Sequence, residues 1–320
     1  MEKWLIFLQF SLCIHAGYGA AELNLQKIIK SRIRRSGGFP KFPVIKIDER
    51  SDPLTCGSRT VEHRPMVPNY KIVGGSIPPY GAYPWQVGIQ AYKEHLGSYE
   101  HNCGGALIGP QLVLTAGHCI KAHENKKMRV VVGDYNLESH DDFQHTYKIE
   151  KFVIHPEFRK NGPYSNDIAL IKLKGTPRVN SHVQYICLPD KNEVNRAGEW
   201  CVVSGWGANK PDYPDAFSVD LRAAAVPLIS LDKCRSPDIL GGRRQSILDS
   251  MICAGRLNGG VDACAGDSGG PLACKKNGKF YLTGIVSWGD GCAKKNRPGV
   301  YTRVAHYQKW IEETSKKLGT

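Results

Sequence analysis

Short apolar runs alternate with turns over most of this 320-residue chain. Glycine, proline and asparagine are frequent between the runs, and each run has the length of a strand. This spacing predicts an all-β fold built from barrels. One stretch differs, because Tyr307, Trp310 and Ile311 recur at helical spacing within residues 304–318 and predict a C-terminal helix. The clearest predicted strands are residues 85–89, 106–114, 128–132, 168–173, 201–204 and 280–286.

The first 71 residues differ from the rest of the chain. Residues 1–20 carry Lys3, an apolar core and then small residues, which is the pattern of a secretory signal peptide. That core is too short to span a membrane. Residues 21–71 are basic and contain prolines, so we interpret them as a pro-segment ahead of a folded domain at residues 72–320. Residues 32–35 are either a site for dibasic-directed proteases or part of an unprocessed basic linker.

Cysteine usage agrees with export. Of the eleven cysteines, Cys13 lies in the signal peptide, and the even number that remains suits five bridges in an oxidising compartment. A cysteine-based metal site is disfavoured because no pair has Cys-x-x-Cys spacing. Sequence spacing alone does not give the pairing.

The net charge of +13 divides into +6 for residues 1–71 and +7 for residues 72–320. A basic surface of this kind favours acidic proteins, polyanions or lipid headgroups, or it is only a solvated basic face. No basic run is interleaved with aromatic residues, so we expect no nucleic-acid partner.

The run 266–271 places one hydroxyl, Ser268, among glycines beside Asp267. Serine attacks a carbonyl only when a base removes its proton, so this interpretation requires a histidine and a carboxylate elsewhere. His118 follows an apolar stretch in the sequence Thr-Ala-Gly-His-Cys, and Asp167 begins an alternating strand. The three residues therefore form a candidate catalytic set.

The order His, Asp, Ser and these local sequences resemble the chymotrypsin/trypsin family of serine proteases. The likeness covers residues 72–320. The resemblance implies two six-stranded antiparallel β-barrels, with the active site between them and a C-terminal helix. It also implies five disulfides, namely Cys56–Cys187, Cys103–Cys119, Cys201–Cys274, Cys234–Cys253 and Cys264–Cys292. Further matching segments are 72–75, 84–87, 103–105, 204–207 and 298–301.

In this interpretation Ser268 is the nucleophile and His118 is the base that takes its proton. Asp167 accepts a hydrogen bond from the other ring nitrogen of His118 and fixes its tautomer. The main-chain N–H groups of Gly266 and Ser268 form the oxyanion hole, and we expect a positive φ at Gly266.

Substrate choice is expected to follow from Asp262, which by resemblance lies at the base of the primary specificity pocket. A carboxylate there favours arginine or lysine before the cleaved bond. Ala263, where many relatives carry serine, favours arginine over lysine. Tyr164 is expected to border the adjoining subsite and to disfavour bulky groups. The remaining predicted wall residues are Ser287, Trp288, Gly289 and Gly299.

The resemblance also implies activation by cleavage between Lys71 and Ile72. The new Ile72 ammonium is then expected to pair with Asp267. A bridge between Cys56 and Cys187 would keep part of the pro-segment attached as a light chain, which favours a regulated role in limited proteolysis over digestion.

The predicted function is thus a secreted, extracellular serine endopeptidase made as a zymogen. Its expected partners are protein substrates with exposed Arg or Lys sites, an activating protease and protein inhibitors. No cofactor is expected. Residues 133–144 resemble a calcium loop, but a glutamine stands at Gln144 where a carboxylate belongs. The alternatives are a catalytically silent homolog that acts as a binding partner or cofactor, and a digestive trypsin.

Overall fold

The computed structural model describes residues 55–65, 75–208, 216–242 and 246–320, all within one compact unit, Asp48–Thr320. The predicted signal peptide, the basic site at residues 32–35 and the Lys71-Ile72 bond lie outside the described residues.

Two closed six-stranded barrels form the described structure, and every strand pairing within them is antiparallel. The predicted fold class is therefore confirmed. The first barrel has the strand order β1-β2-β3-β6-β5-β4. Its strands are β1 (Gln86–Lys93), β2 (Ser98–Gly109), β3 (Leu112–Thr115), β4 (Met128–Val132), β5 (His145–Ile154) and β6 (Ala169–Leu173).

The second barrel has the strand order β10-β11-β12-β9-β8-β7. Closing each sheet on itself removes exposed strand edges, which would otherwise recruit other chains. Its strands are β7 (Trp200–Gly205), β8 (Arg222–Ile229), β9 (Met251–Ala254), β10 (Pro271–Lys276), β11 (Lys279–Trp288) and β12 (Gly299–Arg303).

The predicted strand at residues 106–114 is divided into two. β2 ends at Gly109 and β3 begins at Leu112, and the two strands pair with each other across the turn. Pro110 lies in that turn, where it takes no part in either ladder. The apolar run predicted as one strand therefore forms a hairpin.

Helices are few among the described residues. Two are short, α1 (Gly117–Lys121) and α2 (Leu231–Cys234), and the third is α3 (Gln308–Leu318). The predicted C-terminal helix is present, although its first turn, Val304–Tyr307, is a 3-10 helix. Ile311 on α3 is buried in an apolar cluster to which both barrels contribute, and Gly319 ends the helix with φ of 73°.

Two hydrogen bonds fix the barrels relative to each other near the predicted site. Buried Ser204 of β7 donates its hydroxyl to Gln86 Oε1 of β1 at 2.7 Å. The Gly104 N–H of β2 donates to the Ser268 carbonyl at 2.8 Å. Each bond joins one barrel to the other, so side chains from both are held in one cleft.

The structure contains five disulfides, and they join the same pairs that the resemblance implies. The bridge from Cys56 attaches the described part of the pro-segment, residues 55–65, to the body of the protein. The other bridges are Cys103–Cys119, Cys201–Cys274, Cys234–Cys253 and Cys264–Cys292.

Candidate active site

Asp167 and His118 lie in direct contact. Asp167 is 1% exposed, and its Oδ2 lies 2.8 Å from His118 Nδ1. The Asp167 Oδ1 accepts a second bond, at 2.8 Å, from the main-chain N–H of His118. Two bonds to one residue fix both the ring and the backbone of His118, so the carboxylate can hold the ring in one tautomer.

Local structure explains how these two residues meet. His118 lies on α1, which begins directly after β3, and the Cys103–Cys119 bridge anchors that helix to β2. Asp167 follows Asn166, whose φ of 50° turns the chain just before β6. Since β3 and β6 are paired, the end of one strand and the start of the other lie side by side.

Two further side chains support Asp167. The Ser287 hydroxyl donates to Asp167 Oδ2 at 2.5 Å, and the Thr302 hydroxyl donates to the Asp167 carbonyl at 2.7 Å. Between β11 and β12, Val286 pairs with Tyr301 and Trp288 pairs with Val300, so Ser287 is an extra residue on its strand. A bulge of this kind re-aims a side chain. Sequence reasoning placed Ser287 on the specificity pocket but missed its contact with Asp167.

Ser268 sits on a tight turn held from several sides. The Asp267 N–H donates to the Cys264 carbonyl at 3.0 Å, and the Gly270 N–H donates to the Asp267 carbonyl at 2.9 Å. At Gly269, φ is 79°, and an added Cβ would lie 2.2 Å from the Thr115 hydroxyl oxygen. Only glycine fits there, because any side chain would collide with the strand that leads to His118.

The turn lies against the residues that flank His118, but the Ser268 hydroxyl does not hydrogen-bond to the His118 ring. Within the described residues, the His118 Nε2 instead has Cys119 Sγ at 3.7 Å. Such bonds are often long without substrate and tighten in the complex. The structure thus brings His118 and Asp167 together directly and brings Ser268 to the same cleft through its backbone.

Two main-chain N–H groups of this turn are free. The Ala265 carbonyl accepts a bond from Ala208 N at 2.8 Å, and the Asp267 carbonyl accepts its bond inside the turn. A trans peptide directs the following N–H the opposite way, so the Gly266 and Ser268 N–H groups point outward. Neither has a hydrogen-bond partner among the described residues. Gly266 has φ of 92°, in the expected region.

Asp262 is partly buried and has no cationic partner among the described residues. Its oxygens accept bonds from Ala263 N at 2.9 Å and Ala293 N at 3.3 Å. Burial raises the pKa of Asp262 to about 8, which the main-chain donors only partly oppose. An added Cβ at Gly299 would lie 2.8 Å from Asp262 Oδ1, so glycine keeps the approach to the carboxylate open.

Two of the other predicted pocket residues, Tyr164 and Trp288, are in direct contact. Trp288 stacks on Tyr164 with ring centroids 5.6 Å apart and planes 14° apart. Next to them, Asp290 pairs with Arg297 at 3.0 Å. Tyr164 and Trp288 therefore form one aromatic wall beside the end of β11.

Asp267 points away from Ser268, into the second barrel. It accepts bonds from Gly207 N at 2.8 Å and Cys264 N at 2.9 Å. Burial raises the pKa of Asp267 to about 6. It lines a small cavity with Arg222 and Ala223 of β8. Asp267 forms no ion pair with any described residue.

The residues of the candidate calcium loop mostly bond to the loop itself. Asp141 Oδ2 accepts from Tyr135 N at 2.7 Å and from Asn136 N at 3.0 Å. The Gln144 amide donates to Asp134 Oδ1 at 3.2 Å, where a carboxylate would instead add a negative ligand. Asp142, another carboxylate of the loop, is exposed.

Comparison with known proteins agrees with this geometry. The sequence profile of the trypsin family matches residues 72–311. The chain belongs to the trypsin family of serine proteases. It is 40% identical over 276 residues to the urokinase-type plasminogen activator of Gallus gallus, covering 83% of this chain and 61% of that protein.

Two further relatives show the same pattern. The hepatocyte growth factor activator serine protease of Homo sapiens is 38% identical over 81% of this chain, and coagulation factor XI of Bos taurus is 38% identical over 77%. The chain spans only 38% of either protein. Within the described residues, no helix is both long enough and apolar enough to cross a membrane.

Proposed function

We propose that this trypsin-family chain is the precursor of a secreted serine endopeptidase that cleaves after arginine, and less readily after lysine. The observation that carries the proposal is Asp167, a buried carboxylate whose two oxygens bond to His118. A buried charge is costly unless it is compensated, and an imidazolium that forms during catalysis would compensate it.

In the first step, Ser268 Oγ attacks the scissile carbonyl while its proton moves to His118 Nε2. The oxyanion receives hydrogen bonds from the Gly266 and Ser268 N–H groups, each worth about 3–4 kcal/mol. His118 then gives the proton to the leaving amine, which leaves an acyl-enzyme. Water repeats the sequence and releases the acid, with Asp167 holding the ring throughout.

Asp262 supports the choice of a basic residue before the cleaved bond. Its carboxylate is partly buried without a cation, so an arginine guanidinium would supply the missing charge and a bidentate pair. Ala263 beside it supplies no side-chain hydroxyl to help coordinate a lysine ammonium. Arginine is therefore preferred over lysine.

The region around Asp267 supports activation by cleavage at Lys71-Ile72. The Ser76 N–H and carbonyl both bond to Ala223, a residue of the cavity that Asp267 lines. Ile72 precedes Ser76 by four residues, a reach of roughly 13 Å at about 3.3 Å per residue. We expect a new ammonium at Ile72 to use this length of chain to reach Asp267, and losing one member of such a buried pair costs about 3–5 kcal/mol.

The Cys56–Cys187 bridge favours a regulated protease over a digestive one. It would keep the part of the pro-segment that contains Cys56 attached after cleavage at Lys71. Together with four further bridges, it also favours the exported, oxidising environment that the signal peptide predicts.

The test is a burst experiment. Residues 67–71 are replaced by the recognition sequence of an orthogonal protease, so that cleavage exposes Ile72. With an arginine ester, we expect about one equivalent of acyl-enzyme per cleaved molecule, and none for the uncleaved protein or for Ser268→Ala. A cleaved, folded protein without a burst would instead support the silent homolog.

A further inference from the structure

A basic groove lies outside the cleft, on the first barrel. It has a volume of about 930 Å³ and is formed by the segment after α1, by β4 and β5, and by the end of α3. That volume is within the range of ligand sites. We define the basic groove by its five cationic residues, Lys126, Lys127, Arg129, Lys148 and Lys151.

Strand register gathers these cations. Arg129 of β4 and Lys148 of β5 are direct Cα partners, although like charges opposite each other destabilise a sheet. On a regular strand Lys148 and Lys151 would face opposite sides, but the register shifts between Ile149 and Lys151, and both lysines are exposed. The fold therefore concentrates positive charge that folding alone does not require.

Nearby carboxylates do not neutralise the groove. Glu124 bonds to Lys121 at 2.8 Å, and Glu150 pairs with Lys172 at 3.2 Å. Each of these glutamates is thus paired with a lysine that is not one of the five groove cations. None of the five groove cations forms an ion pair with a described residue, although the charge of Arg129 acts on the carboxyl of Asp134. The charge of the four lysines is therefore available to a ligand.

Two of the cations are held in place by aromatic rings. Arg129 donates its Nε–H to Gln90 Oε1 at 2.7 Å, and its guanidinium carbon lies 4.3 Å from the centroid of the Tyr99 ring. Lys127 Nζ lies 5.6 Å from the centroid of the Tyr92 ring. Cations that are already oriented lose less freedom on binding.

The distribution of the cations favours an extended polyanion. The cations are spread over a loop and two strands, so they do not converge on a single phosphate. β4 is paired on both sides, with β1 and β5, and β5 is paired with β4 and β6. A peptide therefore finds no free strand edge to extend. Recognition depends on side-chain charge alone, which suits a chain of sulfate groups.

We propose that the basic groove binds a sulfated polysaccharide. The test uses the full-length precursor and a fluorescent heparin decasaccharide, titrated between 50 and 200 mM NaCl. The groove variant is Lys148→Gln with Lys151→Gln. The matched control, Lys191→Gln with Lys233→Gln, removes the same charge from exposed lysines outside the groove.

For the groove variant we expect affinity at 100 mM NaCl to fall at least tenfold, and the slope of log K against log salt to become shallower by about two. The control should stay within twofold of the native protein. Equal losses in both variants, or no binding by the native protein at 150 mM NaCl, would refute the proposal. Tighter binding of a polyglutamate of equal charge would assign the groove to acidic polypeptides instead.

Unchanged thermal unfolding of each variant shows that the fold is intact. Because binding is measured on the uncleaved precursor, the result is independent of catalysis and of the function proposed above.

Discussion

Replacement of Asp262 by asparagine tests the specificity pocket while preserving side-chain shape. Burial holds the pKa of Asp262 at about 8 in the free protein, so at pH 7 the group is mostly protonated. Ionising it at pH 7 costs about 1.4 kcal/mol, since one pKa unit is worth about 1.36 kcal/mol. An arginine substrate must supply this free energy before the ion pair contributes.

The magnitude follows from this balance. Leaving one member of a buried ion pair alone costs about 3–5 kcal/mol. Subtracting the ionisation cost leaves about 1.6–3.6 kcal/mol, or a roughly 15- to 450-fold loss of kcat/KM for arginine substrates in Asp262→Asn. A substrate with tyrosine before the cleaved bond forms no such pair, so its kcat/KM should be unchanged or higher.

The assay compares arginine and tyrosine p-nitroanilide substrates on cleaved protein between pH 6 and 9. Because the free pocket's pKa is raised, the ionisation cost disappears as the pH rises through 8. In cleaved protein the arginine-to-tyrosine ratio should therefore rise with pH and level off at or below pH 8, because an ammonium paired with Asp267 would lower the pKa of Asp262 from about 8. The ratio should be flat in Asp262→Asn. A ratio in native protein that is independent of pH, together with retained arginine preference in the variant, would refute the reasoning.

Three further predictions concern residues that support the site and the disulfide that attaches the pro-segment. Ser287→Ala removes one bond to the Asp167 carboxylate, worth about 1.5–3 kcal/mol, so kcat should fall roughly 10- to 100-fold in steady-state assays with KM nearly unchanged. In urea denaturation, Gly269→Ala should lower the free energy of unfolding much more than Gly278→Ala does. Both glycines have positive φ, but an added Cβ would clash only at Gly269. Equal losses of unfolding free energy would contradict this. After activation, removing both Cys56 and Cys187 should release the light chain on non-reducing gels.

Burial alone did not decide which strands the sequence predicted, because β9, Met251–Ala254, is buried throughout and lies outside the predicted runs. β4 is buried over its last three residues and was predicted with its bounds, Met128–Val132. β5, His145–Ile154, was missed because none of its residues is fully buried. It belongs to the barrel through its pairing with β4 and β6, and pairing leaves no apolar run in the sequence.

The residues of the candidate site were predictable from the sequence, but some of their contacts were not. His118, Asp167 and Ser268 each stand in a distinctive local sequence, so the residues could be named in advance. The bond from Ser287 to Asp167 spans 120 positions, and the bond from the His101 ring to the Gly266 carbonyl spans 165. Contacts of that kind depend on how the barrels close, which no local pattern encodes.

In the proposed function, Asp262 and Asp267 connect activation with substrate binding. Each is a carboxylate with a pKa raised by burial, and neither has an ion-pair partner among the described residues. The charge of Asp267 is also one cause of the raised pKa of Asp262. An ammonium placed on Asp267 would therefore offset that repulsion and lower the pKa of Asp262. The substrate pocket then ionises more readily at neutral pH, so cleavage would improve arginine binding by electrostatics as well as by ordering the turn.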